Sequence, residues 1–392
     1  MSNTFFEKEL ASLDERGLLR NLSVMPGTGG EISVEGRKIL NFSSNDYLGL
    51  AGDQRLKDAS IQAINRFGCG ATASRLLAGH LPLHEELESD LAQMMGTEAA
   101  LVFGSGFLTN LGILSALAGA GDVVFSDRLN HASLIDGIRL SRAHCERYRH
   151  TDLEHLEELL KKTKTTGKRL IVSESVFSMD GDIAPLKGLA QLAHRYGALL
   201  IIDEAHAIGV MGNNGGGVCR IPGNEIQPDV VIGTLSKALG GYGGFVACSQ
   251  PIRQFLINTA RSFIFSTGLP PACLGSGREA VSIVTRNPEL GQKLLEKARW
   301  FRGLLAQYGL NLPAFESHIL PVLIGGNEEA VNFSQLLVAK GLFIKAIRPP
   351  TVPVGTSRVR LSMTLSMTEE ALEKAAAIIG ESAEKVGIVG RE

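Results

Sequence analysis

The chain has 392 residues, 44% apolar and 20% charged, with a formal net charge of −2. That length suffices for one large domain plus a smaller one, and the near-neutral balance excludes a global pull toward nucleic acid or anionic membrane. Five cysteines, odd in number and with no two spaced as metal ligands or a CxxC pair, read most simply as reduced thiols in a cytoplasm.

Residues 1–22 alternate charged and apolar side chains without a signal-peptide core, and no apolar run approaches membrane-spanning length. Thr4 to Arg20 reads as an amphipathic helix on Leu10, Leu13 and Leu18. Glu31 to Leu40 reads as a hairpin turning at Glu35-Gly36-Arg37. Asn41-Phe-Ser-Ser-Asn-Asp-Tyr-Leu-Gly-Leu50 mixes polar, aromatic and turn residues, a mixture common in loops that carry function. A helix follows from about Asp53. The glycine-rich run Gly68 to Gly79 is not a dinucleotide fingerprint, because Ala73 stands where the third glycine belongs. Pro82 to Met95 is helical, with proline in its first turn.

From Ala99 strands and helices alternate. The strands are Ala99–Phe103, Asp122–Phe125, Cys145–Tyr148, Arg169–Ser173, Ala198–Asp203, Val230–Gly233 and Phe245–Cys248. Such alternation predicts an α/β domain around a mostly parallel sheet, with ligands at the carboxyl ends of the strands. Gly104-Ser-Gly-Phe107, Glu174, Asp203, His206, Thr234 and Lys237 are therefore expected as neighbours. After Pro270 the chain is helical to about Tyr308, then runs through short strands to a helix from Thr368, a separate, smaller α+β region. Three prolines, with Arg348, Arg358 and Arg360 at their flanks, stiffen the loop from Ala346 to Arg360.

Lys237 sits among Thr234, Ser236 and four glycines between Gly240 and Gly244. A lysine among small and apolar neighbours loses solvation, which favours the nucleophilic free amine and makes it a candidate for Schiff-base chemistry. The alternative is a surface lysine in a flexible loop. The strand ending in Asp203-Glu-Ala-His206 admits three readings: a structural strand end, a helicase Walker-B strand, or a pyridoxal phosphate site. The helicase reading needs a GxxxxGK[ST] loop, and no Gly-Lys pair in the chain precedes Ser or Thr. Pyridoxal 5'-phosphate needs a carboxylate at its ring nitrogen, a lysine for its aldehyde, and a helix N-terminus with neutral donors for its phosphate. Asp203, Lys237, and Gly106 and Phe107 with Thr234 and Ser236 suit those three tasks. His131, at a helix start, is either a capping histidine or a flat ring that stacks on the cofactor. Ser178 is a turn hydroxyl on either reading.

These motifs resemble the α-oxoamine synthases, pyridoxal-phosphate enzymes of fold type I. The resemblance rests on Asn41–Leu50, Asn130-His-Ala-Ser133, Val176-Phe-Ser-Met-Asp-Gly181, Asp203-Glu-Ala-His206 and Gly233-Thr-Leu-Ser-Lys-Ala-Leu-Gly240, and it covers essentially the whole chain. It implies a division into residues 1–50 (helix and hairpin), 51–285 (large cofactor-binding domain) and 286–392 (small domain). Lys237 would hold the cofactor covalently, Asp203 would pair with its ring nitrogen, and His206 would bond its phenolic oxygen. His131 would stack on the ring, with Gly106, Phe107, Ser178 and Thr234 around it. Arg20, Asn45, His131, Thr351 and Arg360 would meet substrate, Arg360 by gripping the amino-acid carboxylate. The family's site forms between the two subunits of a homodimer, so Ser266 and Thr267 would reach the neighbour's phosphate. Ile347-Arg-Pro-Pro-Thr-Val-Pro-Val-Gly-Thr356 is similar to the branch that condenses L-alanine with a pimeloyl thioester. Glycine with acetyl-CoA is the alternative within the family, and a non-catalytic scaffold subunit is the alternative outside it.

Overall fold

Seven short strands, five of them with every residue buried or nearly so, cannot face water and must be covered on both sides. The computed structural model, which describes residues 3–34, 36–314 and 316–389, places them in one sheet. Its order is Ala99–Phe103, Gly244–Cys248, Val230–Thr234, Ala198–Asp203, Arg169–Glu174, Val123–Asp127 and His144–Tyr148. Only Gly244–Cys248 runs antiparallel to its neighbours, so the predicted mostly parallel sheet is what forms. Polar His144–Tyr148 takes the edge, where one flank meets solvent. Leu101, Val124, Leu170, Val172, Ile201, Val230 and Val246 lead a core cluster closed by Ile113, Leu114, Leu134 and Ile138 from two helices, Gly106–Leu117 and Ala132–Ser141. This unit comprises Leu48–Ser178 and Asp182–Lys293.

Where the helices begin follows from local capping. Asp53 accepts the Arg55 N–H at 2.8 Å and starts Gln54–Phe67. Asp152 accepts the His155 N–H at 2.8 Å and starts Leu153–Lys162. The long helical stretch after Pro270 is two helices, Pro271–Arg286 and Glu289–Gln307, because Pro288 cannot continue the first.

The other unit holds the residues up to Tyr47, Met179–Gly181 and the chain from Leu294 on. Ser357–Ser362 is the central strand of an antiparallel sheet, between Ile319–Gly325 and Ala346–Ile347. Glu31–Val34 pairs antiparallel with Arg37–Asn41, and Leu342–Phe343 adds to the latter in parallel. Glu35, in the expected hairpin turn, lies outside the described residues. The N-terminal helix is Thr4–Glu15, shorter than expected: Gly17 turns left-handed at φ +62° and stops it, so Arg20 lies beyond the helix rather than in its last turn.

At the carboxyl ends of the large sheet, the His150 ring is gripped from both sides. Nδ1 meets Asp127 Oδ1 at 2.9 Å and Nε2 meets Asp182 Oδ2 at 2.7 Å. Burial alone would pull its pKa down, but the two carboxylates override that and raise it to about 10. His150 therefore stays charged in the folded chain well above the pH at which it is neutral unfolded. The stability it lends is complete below about pH 6.5, fades as pH rises, and is gone above about pH 10. The melting temperatures of wild type and His150→Gln should accordingly converge as pH climbs through that window. A constant gap from pH 6 to 10 would contradict the charged clamp.

Candidate functional site

The strand Val230–Thr234 ends in a turn that carries Lys237 and returns through glycines to Gly244–Cys248. Thr234 Oγ1 donates to the Gly243 carbonyl at 2.9 Å and lies 2.7 Å from Ser236 Oγ, which fixes the turn from inside. Lys237 Nζ is 2.9 Å from His206 Nε2. His206 arrives from the neighbouring parallel strand Ala198–Asp203, three residues past its end.

Asp203 closes that strand and is buried. Its Oδ1 accepts the Ala205 N–H at 2.9 Å, and its Oδ2 accepts from Asn110 Nδ2 at 2.8 Å. Glu174 stands opposite it in the sheet register. Burial and then the Asp203 charge push the Glu174 carboxyl upward, and its Oε1 takes the His131 N–H at 2.6 Å. His131 caps the helix Ala132–Ser141 by accepting the Ser133 N–H on Nδ1 at 3.2 Å. Loss of solvent lowers the His131 pKa, with Asp203 opposing and Lys237 reinforcing the shift.

The floor of the site is a helix start. Ser105 Oγ takes the Leu108 N–H at 3.2 Å, while the first turn leaves the Gly106 and Phe107 N–H groups pointing outward. Gly244 lets this turn approach: a Cβ there would stand 2.5 Å from Gly106 N and 2.4 Å from Thr109 Oγ1. Gly106, Phe107, His131, Asp203, Thr234 and Lys237 then line one cavity of about 200 Å³, with His206 on its wall. A lysine amine, a buried carboxylate met only by donors, and a helix N-terminus flanked by hydroxyls fit an aromatic aldehyde that carries a ring nitrogen and a phosphate.

Other expected residues lie elsewhere. Ser178 is buried beside this cavity, its backbone N–H bonded to Glu174. Ser266 and Thr267 belong to the same unit but do not line the cavity; Thr267 bridges to Ser74. In the other unit Arg360 is buried, and its Nη2 donates to Asn45 Oδ1 at 2.6 Å. Tyr47 OH donates to the same oxygen at 3.1 Å, and burial raises its phenol to about 12 against the pull of Arg360. Arg20 Nη2 donates to the Pro349 carbonyl at 3.0 Å, which brings it to the loop of Thr351. Thr351 N–H bonds Arg348 O at 3.1 Å.

Sequence reasoning missed Asn110 and the part played by Ser133. The signal was present: Asn110 is a lone amide in the apolar helix Gly106–Leu117, one turn after Gly106, and it is 2% exposed.

The family model of the class I and II aminotransferases matches residues 37–379. An 8-amino-7-oxononanoate synthase of Lysinibacillus sphaericus is 45% identical over 388 residues, 99% of this chain and 100% of its own. One from Geobacter sulfurreducens is 47% identical over 385 residues, 97% and 98% of the two chains. Among solved structures, the serine palmitoyltransferase of S. paucimobilis with a bound PLP–myriocin aldimine superposes with a TM-score of 0.92. It is 32% identical and covers 99% of this chain and 98% of its own. The 8-amino-7-oxononanoate synthase of Francisella tularensis gives 0.76 at 29% identity, covering 88% and 98%. Among the described residues no helix is long and apolar enough to cross a membrane.

Proposed function

Because the chain belongs to the class I and II aminotransferases, in their α-oxoamine synthase family, we propose that it condenses L-alanine with a pimeloyl thioester, carried by CoA or a carrier protein. The products are 8-amino-7-oxononanoate, free thiol carrier and CO2, so the activity is that of an acyltransferase of biotin biosynthesis. The observation that carries this reading is the single cavity holding Lys237, Asp203, His131 and the helix start at Gly106.

Pyridoxal 5'-phosphate, the family's cofactor, supplies an electron sink for the carbanion left when alanine loses its α-proton. The residues prepare and use that sink. Asp203 would keep a proton on the ring nitrogen of the cofactor. The Gly106 and Phe107 N–H groups and the Ser236 hydroxyl, braced by Thr234, would bind phosphate, and His131 would lie against the ring face. His206 would bond the phenolic oxygen, Ser178 would stand beside the cofactor, and the Lys237 amine would take the α-proton. Arg360 grips the amino-acid carboxylate with Asn45 beside it, and Arg20 and Thr351 meet substrate. The working form is a cytoplasmic homodimer in which Ser266 and Thr267 reach the neighbour's phosphate.

The competing reading pairs glycine with acetyl-CoA. Offered both pairs side by side, the protein should release CoA with alanine and pimeloyl-CoA at a kcat/KM at least about tenfold higher, the scale set by buried methylenes of a longer acyl chain. The reverse preference would move it to the glycine C-acetyltransferase reaction. CoA release with neither pair would favour the scaffold.

A further inference from the structure

A chain of hydrogen bonds joins Asp203 to His131 through two side chains that neither the motifs nor the family reading assigns. Asn110 Nδ2 donates to Asp203 Oδ2 at 2.8 Å and to Ser133 Oγ at 2.8 Å. Ser133 Oγ lies 2.7 Å from His131 Nδ1. Both Asn110 and Ser133 are buried, at 2% and 1% exposure. A carboxylate only accepts, so Asn110 must present its amide hydrogens to Asp203. One of those hydrogens takes a lone pair of the Ser133 oxygen, whose own hydroxyl hydrogen stays available for His131 Nδ1. The Ser133 N–H points at the same atom, at 3.2 Å. A backbone N–H can only donate, so Nδ1 accepts it and carries no proton; the Ser133 hydroxyl then donates to Nδ1 as well, and the imidazole hydrogen sits on Nε2.

We infer that Asn110 and Ser133 are positioning residues that hold His131 neutral, in the Nε2–H tautomer, so that it presents a fixed N–H donor to an acceptor oxygen of the substrate. Asp203 thereby sets the ring nitrogen of the cofactor and, through Asn110, the polarity of His131 as well. The charged groups around the ring pull in both directions: Asp203 and Asp136 favour a cation, while Lys237 and the loss of solvent oppose it. Glu174 meets the His131 backbone N–H rather than the ring. The two Ser133 donors bond only the neutral form, and they add to the side that keeps the ring uncharged. The inference rests on the reading above only for what the N–H meets; the tautomer belongs to the chain itself.

The test is a proton-detected 15N spectrum of histidine-labelled protein, with the His131 signal identified by its loss in His131→Asn. Wild type near neutral pH should show a neutral ring protonated on Nε2, with and without pyridoxal 5'-phosphate. Ser133→Ala removes one donor to Nδ1 and should raise the His131 titration midpoint by about one pH unit, the scale of a single hydrogen bond. Asn110→Asp turns the Ser133 hydroxyl toward the new carboxylate and should raise it further. In each folded variant kcat should fall by about tenfold or more while the alanine KM stays within about threefold. A wild-type ring that is charged or protonated on Nδ1 overturns the inference, and so does an unshifted midpoint in Ser133→Ala. Because the spectrum needs no substrate, failure of the proposed reaction leaves this result separately readable.

Discussion

Lys237→Ala should bind pyridoxal 5'-phosphate and lose about three orders of magnitude or more in turnover. On the proposed reading two functions are lost with one side chain: the amine that would hold the cofactor covalently and the base that would take the alanine α-proton. The remaining anchors explain why binding survives. The Gly106 and Phe107 N–H groups, the Ser236 hydroxyl beside Thr234 and the Asp203 carboxylate are all held by neighbours other than Lys237. His206, which loses its 2.9 Å contact with Nζ, keeps its place after the strand Ala198–Asp203. The visible band of the bound cofactor should shift toward that of the free aldehyde, and borohydride should no longer fix cofactor to the chain. Near-normal turnover in the variant would remove Lys237 from the centre of the chemistry.

Asp203→Asn separates charge from shape. The carboxylate is buried, and its two oxygens take N–H donors from Ala205 and Asn110. Asparagine fills the same space but cannot favour a protonated ring nitrogen by charge, so the sink weakens where negative charge develops. Exchange of the alanine α-proton in deuterated water should slow by about a hundredfold or more, while the cofactor band persists, displaced. Were Asp203 only a cap at the end of its strand, the change would cost about 1 kcal/mol of stability and leave exchange alone. Unchanged exchange in a folded, cofactor-loaded variant would rule out its role at the ring nitrogen.

Much of the frame was legible because the sheet announces itself in apolar runs. Leu199-Leu-Ile-Ile202 and Val230-Val-Ile232 admit no other burial, and parallel order follows from the helices between such strands. The direction of Gly244–Cys248 was not legible. An antiparallel strand and a parallel one share the same apolar pattern, and only the short glycine turn after Lys237 distinguishes them. Lys237, Asp203 and His206 were readable as strand-end residues. Asn110 was not, because a helix residue reaches Asp203, 93 positions away, only once the sheet is folded. His150 was hidden for the same reason, its partners lying 23 and 32 positions off. Arg20 was read as a helix end, and Gly17 moved it into a loop, where its guanidinium reaches the Pro349 carbonyl.

The reaction is tested most directly by following the alanine carboxyl. Protein supplied with pyridoxal 5'-phosphate, [1-13C]alanine and pimeloyl-CoA should release 13CO2, free CoA and unlabelled 8-amino-7-oxononanoate in equal amounts. Label retained in the condensed product, or CoA released without labelled CO2, would contradict decarboxylative condensation at this site.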